Sequence, residues 1–141
     1  MKIKVQNWDD IVLLAAGASV KPPRTIQTEA LVDTGATGLY LKSSLIRQLG
    51  LRSIGEKTAL TMSNRRETRT VFAPVDLEIQ GRNIQYQVTE LPDELPNVIG
   101  QIPLEGMDWV VDVAGQKLIG NPAHGGELLH EEFQAYEIDK E

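Results

Sequence analysis

The chain has 141 residues, with 20 acidic against 14 basic side chains, two histidines and no cysteine. The absence of cysteine excludes a disulfide scaffold, a Cys-ligated zinc or iron–sulfur centre and a thiol nucleophile, and His124 and His130 alone leave little for a His-based metal cage or a Ser-His-Asp triad. A formal net charge of −6 disfavours nucleic acid as a partner, and no stretch approaches the ~20 apolar residues of a membrane span or forms a signal-type core after Met1. Length and composition therefore point to a strand-rich domain with a cytoplasmic location.

In chain order, Ile3 and Val5 alternate with polar residues, which predicts a half-buried strand. The apolar run Ile11–Ala16 predicts a short buried strand, and Ala18–Arg24, with Pro22-Pro23, a loop. Thr25–Val32 reads as a strand ending at Asp33-Thr34-Gly35. Ser43–Leu49 reads as a short helix with a serine cap at its start and Gly50 just past its end. Lys57–Met62 and Glu67–Phe72 are strand-like and flank a hairpin at Ser63-Asn64-Arg65-Arg66; Val75–Ile79 and Ile84–Val88 flank a second at Gln80–Asn83. Val98-Ile99-Gly100 closes another buried strand, Leu104–Met107 forms one helical turn, and Trp109–Val113 pairs with Lys117–Ile119. The spacing of Leu129, Phe133 and Tyr136 predicts an amphipathic helix over Glu127–Tyr136. Trp8 and Trp109 are expected in a core or interface, and both histidines at the surface. The expected architecture is all-β with short helices, a single domain over 1–120 followed by an acidic helical extension over 121–141.

Charge is unevenly placed. Residues 127–141 hold six acids against one base, whereas residues 42–82 hold eight bases against four acids. The simplest reading of the tail is a solvated end, and of Arg65, Arg66 and Arg69 a solvated hairpin. The sharper alternative is that those arginines favour acidic groups in a bound ligand.

The segment that carries chemistry is Ala30-Leu31-Val32-Asp33-Thr34-Gly35-Ala36-Thr37-Gly38. Asp33 directly follows a strand and precedes a turn in which Gly35 removes a side chain where a substrate or backbone must approach. A carboxylate so placed is presented from a rigid support. Alone, the tripeptide reads better as a turn capped by Asp33. Gly35-Ala36-Thr37-Gly38 lacks the lysine of a phosphate-binding loop, and neither a cofactor nor a metal is expected.

Asn97-Val98-Ile99-Gly100 follows some 65 residues later, with a helix and two hairpins between. Together these motifs resemble the retropepsin-like (retroviral-type) aspartic proteases over residues 25–120, and the run Asp108–Asn121 is closer to bacterial members than to viral ones. The resemblance implies an acid-protease barrel with Asp33 as the catalytic carboxylate, Thr34 bracing the active-site loops, Gly35 lining the substrate floor, and Val98-Ile99-Gly100 packing behind the loop. It places Ala36 and the hairpin residues Ser63, Asn64, Arg65 and Arg66, where the family has its flap, at the substrate. Gln101 and Ile102 stand where retroviral members carry an Arg and an Asp or Asn that help hold the dimer. Aspartic proteolysis needs two carboxylates sharing a proton, and the chain has one Asp-Thr-Gly. The expectation is therefore a homodimer that hydrolyses a peptide or protein substrate at mildly acidic pH, without nucleic acid or membrane. Competing readings are a catalytically silent dimer of the same fold that binds peptides, and an unrelated small β-barrel with a chance Asp-Thr-Gly.

Overall fold

The computed structural model describes residues 1–61 and 63–129. The chain divides into two compact units, Met1–Met107 and Asp108–Glu141. The first holds strands β1 (Lys2–Asn7), β2 (Thr25–Glu29), β3 (Leu31–Val32), β4 (Leu39–Lys42), β5 (Ser53–Leu60), β6 (Arg66–Ile79), β7 (Arg82–Leu91) and β8 (Val98–Ile99). Its helices are α1 (Trp8–Ala15), α2 (Ser43–Leu49) and α3 (Gln101–Gly106). The strands form one curled, half-barrel sheet in the order β2-β1-β6-β7-β4-β8-β3, with β5 pairing β6. The protein is mostly β, as its alternating sequence requires.

Strand β6 organises this sheet. From Val71 onward every second residue (Val71, Ala73, Val75, Leu77, Ile79) is buried, the period-2 signature of a strand with one face on a core. Ile3 and Val5 of β1, Leu39 and Leu41 of β4, and Val88 of β7 are buried as well. The expected strands Glu67–Phe72 and Val75–Ile79 are thus one strand, whose pairing with β7 shifts between Phe72 and Val75. Pro74 sits in that shift, where a residue without an amide hydrogen costs no ladder bond. On one side of it β6 pairs β5 through residues 66–72; on the other it pairs β1 through Val75–Glu78. The β5–β6 portion carries little core: most of its residues are exposed, Leu60 to 69%.

Several elements depart from the sequence expectations. Residues 11–16 are helical, not a buried strand: α1 starts one residue after Asn7, whose side chain accepts the Asp10 amide, with Asp9 and Asp10 in the first turn. None of its residues is buried. An apolar run without alternation is ambiguous in period, and the cap decides it. The expected strand Thr25–Val32 breaks at Ala30, where it leaves β1 and re-pairs with β8. Ser43 does not cap α2. Its hydroxyl donates to the Leu91 carbonyl, and the Ser44 amide is taken by Asp93 from a distant loop. Gly50 ends the helix at φ 62°, a left-handed conformation that favours glycine. Trp8 and Trp109 are both half-buried.

One buried amide joins these pieces. Asn97, 3% exposed, accepts the Lys42 amide at 2.9 Å and donates from Nδ2 to the Glu29 carbonyl at 3.0 Å. Its own carbonyl accepts the Leu31 amide at 2.8 Å. It therefore fixes the Ala30 break, the end of β4 and the start of β8.

The second unit holds the hairpin β9 (Trp109–Asp112) and β10 (Lys117–Gly120), followed by a 3-10 turn at Pro122–His124. The buried Asp108 carboxylate accepts from His124 Nδ1 at 2.7 Å, the Leu129 amide at 3.1 Å and Asn121 Nδ2 at 3.3 Å. His124 is thus a partner of a buried carboxylate with its side chain 14% exposed, not a solvated surface residue. His130 and most of the helix expected over Glu127–Tyr136 lie outside the described residues. Burial alone raises the Asp108 pKa; the hydrogen bonds from His124, Leu129 and Asn121, with the His124 charge, outweigh it and hold the carboxyl below 3.8.

Two outcomes follow from these buried polar groups. Asn97→Ala leaves the Lys42 amide and the Glu29 carbonyl without partners, and urea unfolding should show a loss of about 2–3 kcal/mol; a loss near zero would contradict the clamp. For Asp108 the folded pKa is depressed, so its stabilisation is complete above the ordinary carboxylate value and is lost as pH falls through the lower folded one. NMR of residues 108–129 on acidification should show them loosening only below that range, with the dependence abolished in Asp108→Asn.

Candidate active site

Asp33 leaves β3 at the end of a short parallel ladder with β8, in which Leu31 faces Val98 and Val32 faces Ile99. Its amide donates to the Ile99 carbonyl at 3.0 Å. A tight turn follows: the Ala36 amide donates to the Asp33 carbonyl at 3.1 Å, and the Gly35 amide to Asp33 Oδ1 at 2.9 Å. The carboxylate stays exposed to solvent while one of its oxygens is oriented by the turn.

The far side of the loop is held as firmly. The amides of Gly100, Gln101 and Ile102 donate to the carbonyls of Gly38, Ala36 and Thr37 at 2.7, 2.9 and 3.0 Å. The first amides of a helix have no partner within it, and here those at the start of α3 are used to pin the Asp33 loop. Gly100 is required for this approach, because a Cβ there would sit 2.6 Å from the Ala36 oxygen and 2.7 Å from the Gly38 oxygen. Leu39, Leu41 and Ile99, none of them exposed, back the loop with core.

Asp33 lies in a cleft of about 850 Å³. Its floor is Asp33, Gly35, Ala36, Thr37 and Tyr40. The β5–β6 hairpin contributes Ala59, Leu60, Thr61, Ser63, Glu67 and Arg69, and Leu91, Pro92, Leu95 and Val98 make an apolar wall. Arg69 and Glu67 are ion-paired at 2.8 Å. The Tyr40 hydroxyl accepts the Gly38 amide at 3.3 Å and lies 3.4 Å from the Thr37 hydroxyl; Lys57 Nζ stands 5.3 Å from the ring centroid. Burial raises the Tyr40 pKa, but the Thr37 and Gly38 hydrogen bonds and the Lys57 charge prevail and lower it.

Of the residues singled out in the sequence, Asp33, Gly35, Ala36 and Ser63 come together in this cleft. Thr34 is exposed beside it, and among the described residues its hydroxyl has no hydrogen-bond partner. Asn64, Arg65 and Arg66 are exposed at the hairpin end and do not line the cleft. There Asn64, at φ 61°, forms a turn in which the Thr61 amide donates to the Arg65 carbonyl at 2.9 Å. Gln101 bonds Glu105 within its own helix at 2.8 Å, and Ile102 is 49% exposed. Sequence reading missed Tyr40, Glu67, Leu60 and the 91–95 wall. The hairpin members were within reach, since register from the turn places Glu67 opposite Ala59. The wall was not, because it depends on the parallel pairing of β4 with β7.

Gly100→Ala should push the loop from α3. A cost of about 1–3 kcal/mol and shifted amide resonances across residues 33–38 are expected; unchanged resonances there would show that the contact is not tight.

No curated protein gives a significant match to the chain. A family model described as "Aspartyl protease" matches residues 23–102, a span that contains the Asp33 loop, the hairpin, β8 and the start of α3. No helix among the described residues is long and apolar enough to cross a membrane. The matched span is more than half of the chain, and the chain belongs to the retropepsin-like aspartyl protease family.

Proposed function

We propose that the protein is an aspartic endopeptidase that works as a homodimer, with Asp33 of each copy at the two-fold axis. The observation that carries this reading is the exposed Asp33 carboxylate, held by backbone bonds on both sides of its loop at the floor of a cleft under a hairpin. Among the described residues the other carboxylate lining that cleft, Glu67, is committed to Arg69. A second catalytic carboxylate is therefore best supplied by a second copy. Leu31 and Ile102, 58% and 49% exposed beside the loop, are apolar surface that such a partner would cover, and β3 lies at a sheet edge.

In this reading two Asp33 carboxyls share one proton, because two like charges in contact cannot both ionise. The ionised one removes a proton from a water molecule as that water attacks the scissile carbonyl; the protonated one donates to the carbonyl oxygen. The tetrahedral intermediate then collapses, breaking the C–N bond as a proton passes to the leaving amine. No covalent enzyme intermediate forms. Thr34, exposed and outside the turn's own bonds, braces the partner's loop in this reading, Gly35 and Ala36 give the substrate backbone close access, and the β5–β6 hairpin acts as the flap. An extended peptide docks as a strand between them.

Cleavage of a diverse peptide library from pH 4 to 7, over a range of protein concentrations, tests this. Acid-favoured cleavage that rises faster than linearly with concentration and is lost in Asp33→Asn is expected. A dimer that binds these peptides and leaves them intact would instead be a peptide-binding module.

A further inference from the structure

The inner face of the β5–β6 hairpin is charged where an apolar lining would suit the rest of the cleft. Lys57 pairs with Arg69 and Ala59 with Glu67 in the ladder, and period-2 alternation puts all four side chains on one face. Residues directly opposite in an antiparallel pair have Cβ atoms about 4.5–5.5 Å apart, and like charges there are unfavourable. Two cations thus face each other across the ladder, and the carboxylate on the next rung of that face, Glu67, is taken by Arg69 at 2.8 Å. Lys57 stands behind the cleft lining, over the ring of Tyr40, a lining residue, at 5.3 Å, and among the described residues no carboxylate lies within ion-pair distance of it. The opposing wall, from Leu91 to Val98, offers only apolar side chains at the cleft surface.

We propose that Lys57 and Arg69, acting together from the underside of the hairpin, select an acidic side chain in the peptide that occupies the cleft. The proposal rests on the reading of the cleft as a peptide site. An incoming Glu or Asp carboxylate relieves the repulsion between the two cations and gives Lys57 a counter-charge that no carboxylate among the described residues provides. Glu67 competes with it for Arg69 and so sets the strength of the preference. Arg65 and Arg66 are exposed at the hairpin end, away from the Lys57–Arg69 rung, and take no part.

The test measures binding, so that it does not depend on catalysis. Fluorescently labelled eight-residue peptides of Leu, Phe and Ala, carrying Glu at each position in turn and matched by Gln counterparts, are titrated onto Asp33→Asn protein at low salt. At one or more positions Glu should bind roughly fivefold more tightly than Gln. Lys57→Met should erase the difference, and Glu67→Gln should widen it. Equal affinities at every position, no peptide binding at all, or a preference that survives Lys57→Met would overturn the proposal. Cleavage of the same peptides by the unsubstituted protein reads the peptidase proposal separately: acid-selective binding without cleavage would sink that reading and leave this one standing, and cleavage without acid preference would do the reverse.

Discussion

Residues 97–102 satisfy, almost group for group, the backbone polar atoms that residues 29–42 cannot satisfy themselves. Asn97 takes the Glu29 carbonyl, the Leu31 amide and the Lys42 amide, and the amides of residues 100–102 take the carbonyls of residues 36–38. Buried backbone groups left without partners cost about as much as a lost hydrogen bond each, so these two segments are stable only together. The loop that carries Asp33 is irregular backbone, yet it is as tightly bonded as a strand. That is how an exposed carboxylate obtains a fixed position: the side chain is free to meet a substrate while the main chain is closed off on both sides.

The same sheet supports a part of opposite character. Beyond Pro74 β6 belongs to the core, with its alternate residues buried; before Val71 it belongs to a two-stranded arm whose residues are mostly solvated. An arm with few buried apolar contacts is drawn from the least stable end of a structure and opens at lower cost than the core. In the proposed function, this rigid floor beneath a weakly held cover is what admits an extended chain and then encloses it. The shift at Pro74 separates the two regimes, since it ends the pairing with β5 and starts that with β1.

Much of this was legible along the chain. Alternation identified most strands, Gly50 marked the end of α2, and Asp33 ahead of Gly35 marked a carboxylate on a tight turn, because each rests on local rules of period, turn chemistry and backbone freedom; the pairing of that turn with Val98-Ile99-Gly100 came from resemblance to a family. The failures have local causes too. Residues 11–16 offered no periodicity, and the deciding signal was the Asn7 cap ahead of Asp9 and Asp10. At α2 a plausible serine was passed over for Asp93, 49 residues from the amide it accepts.

The sequence by itself determined that the chain builds a β-rich fold with one carboxylate on a glycine-bearing turn, for these follow from side-chain alternation and from which residues tolerate a tight turn. Only the tertiary structure decided what surrounds that carboxylate. The Leu91–Val98 wall, the Lys57–Tyr40 contact and the grip of α3 on the loop join segments tens of residues apart, and they depend on strand register and on the partners that buried backbone groups find. Those partners are chosen by the whole sheet, not by neighbours in the chain, so no local pattern records them.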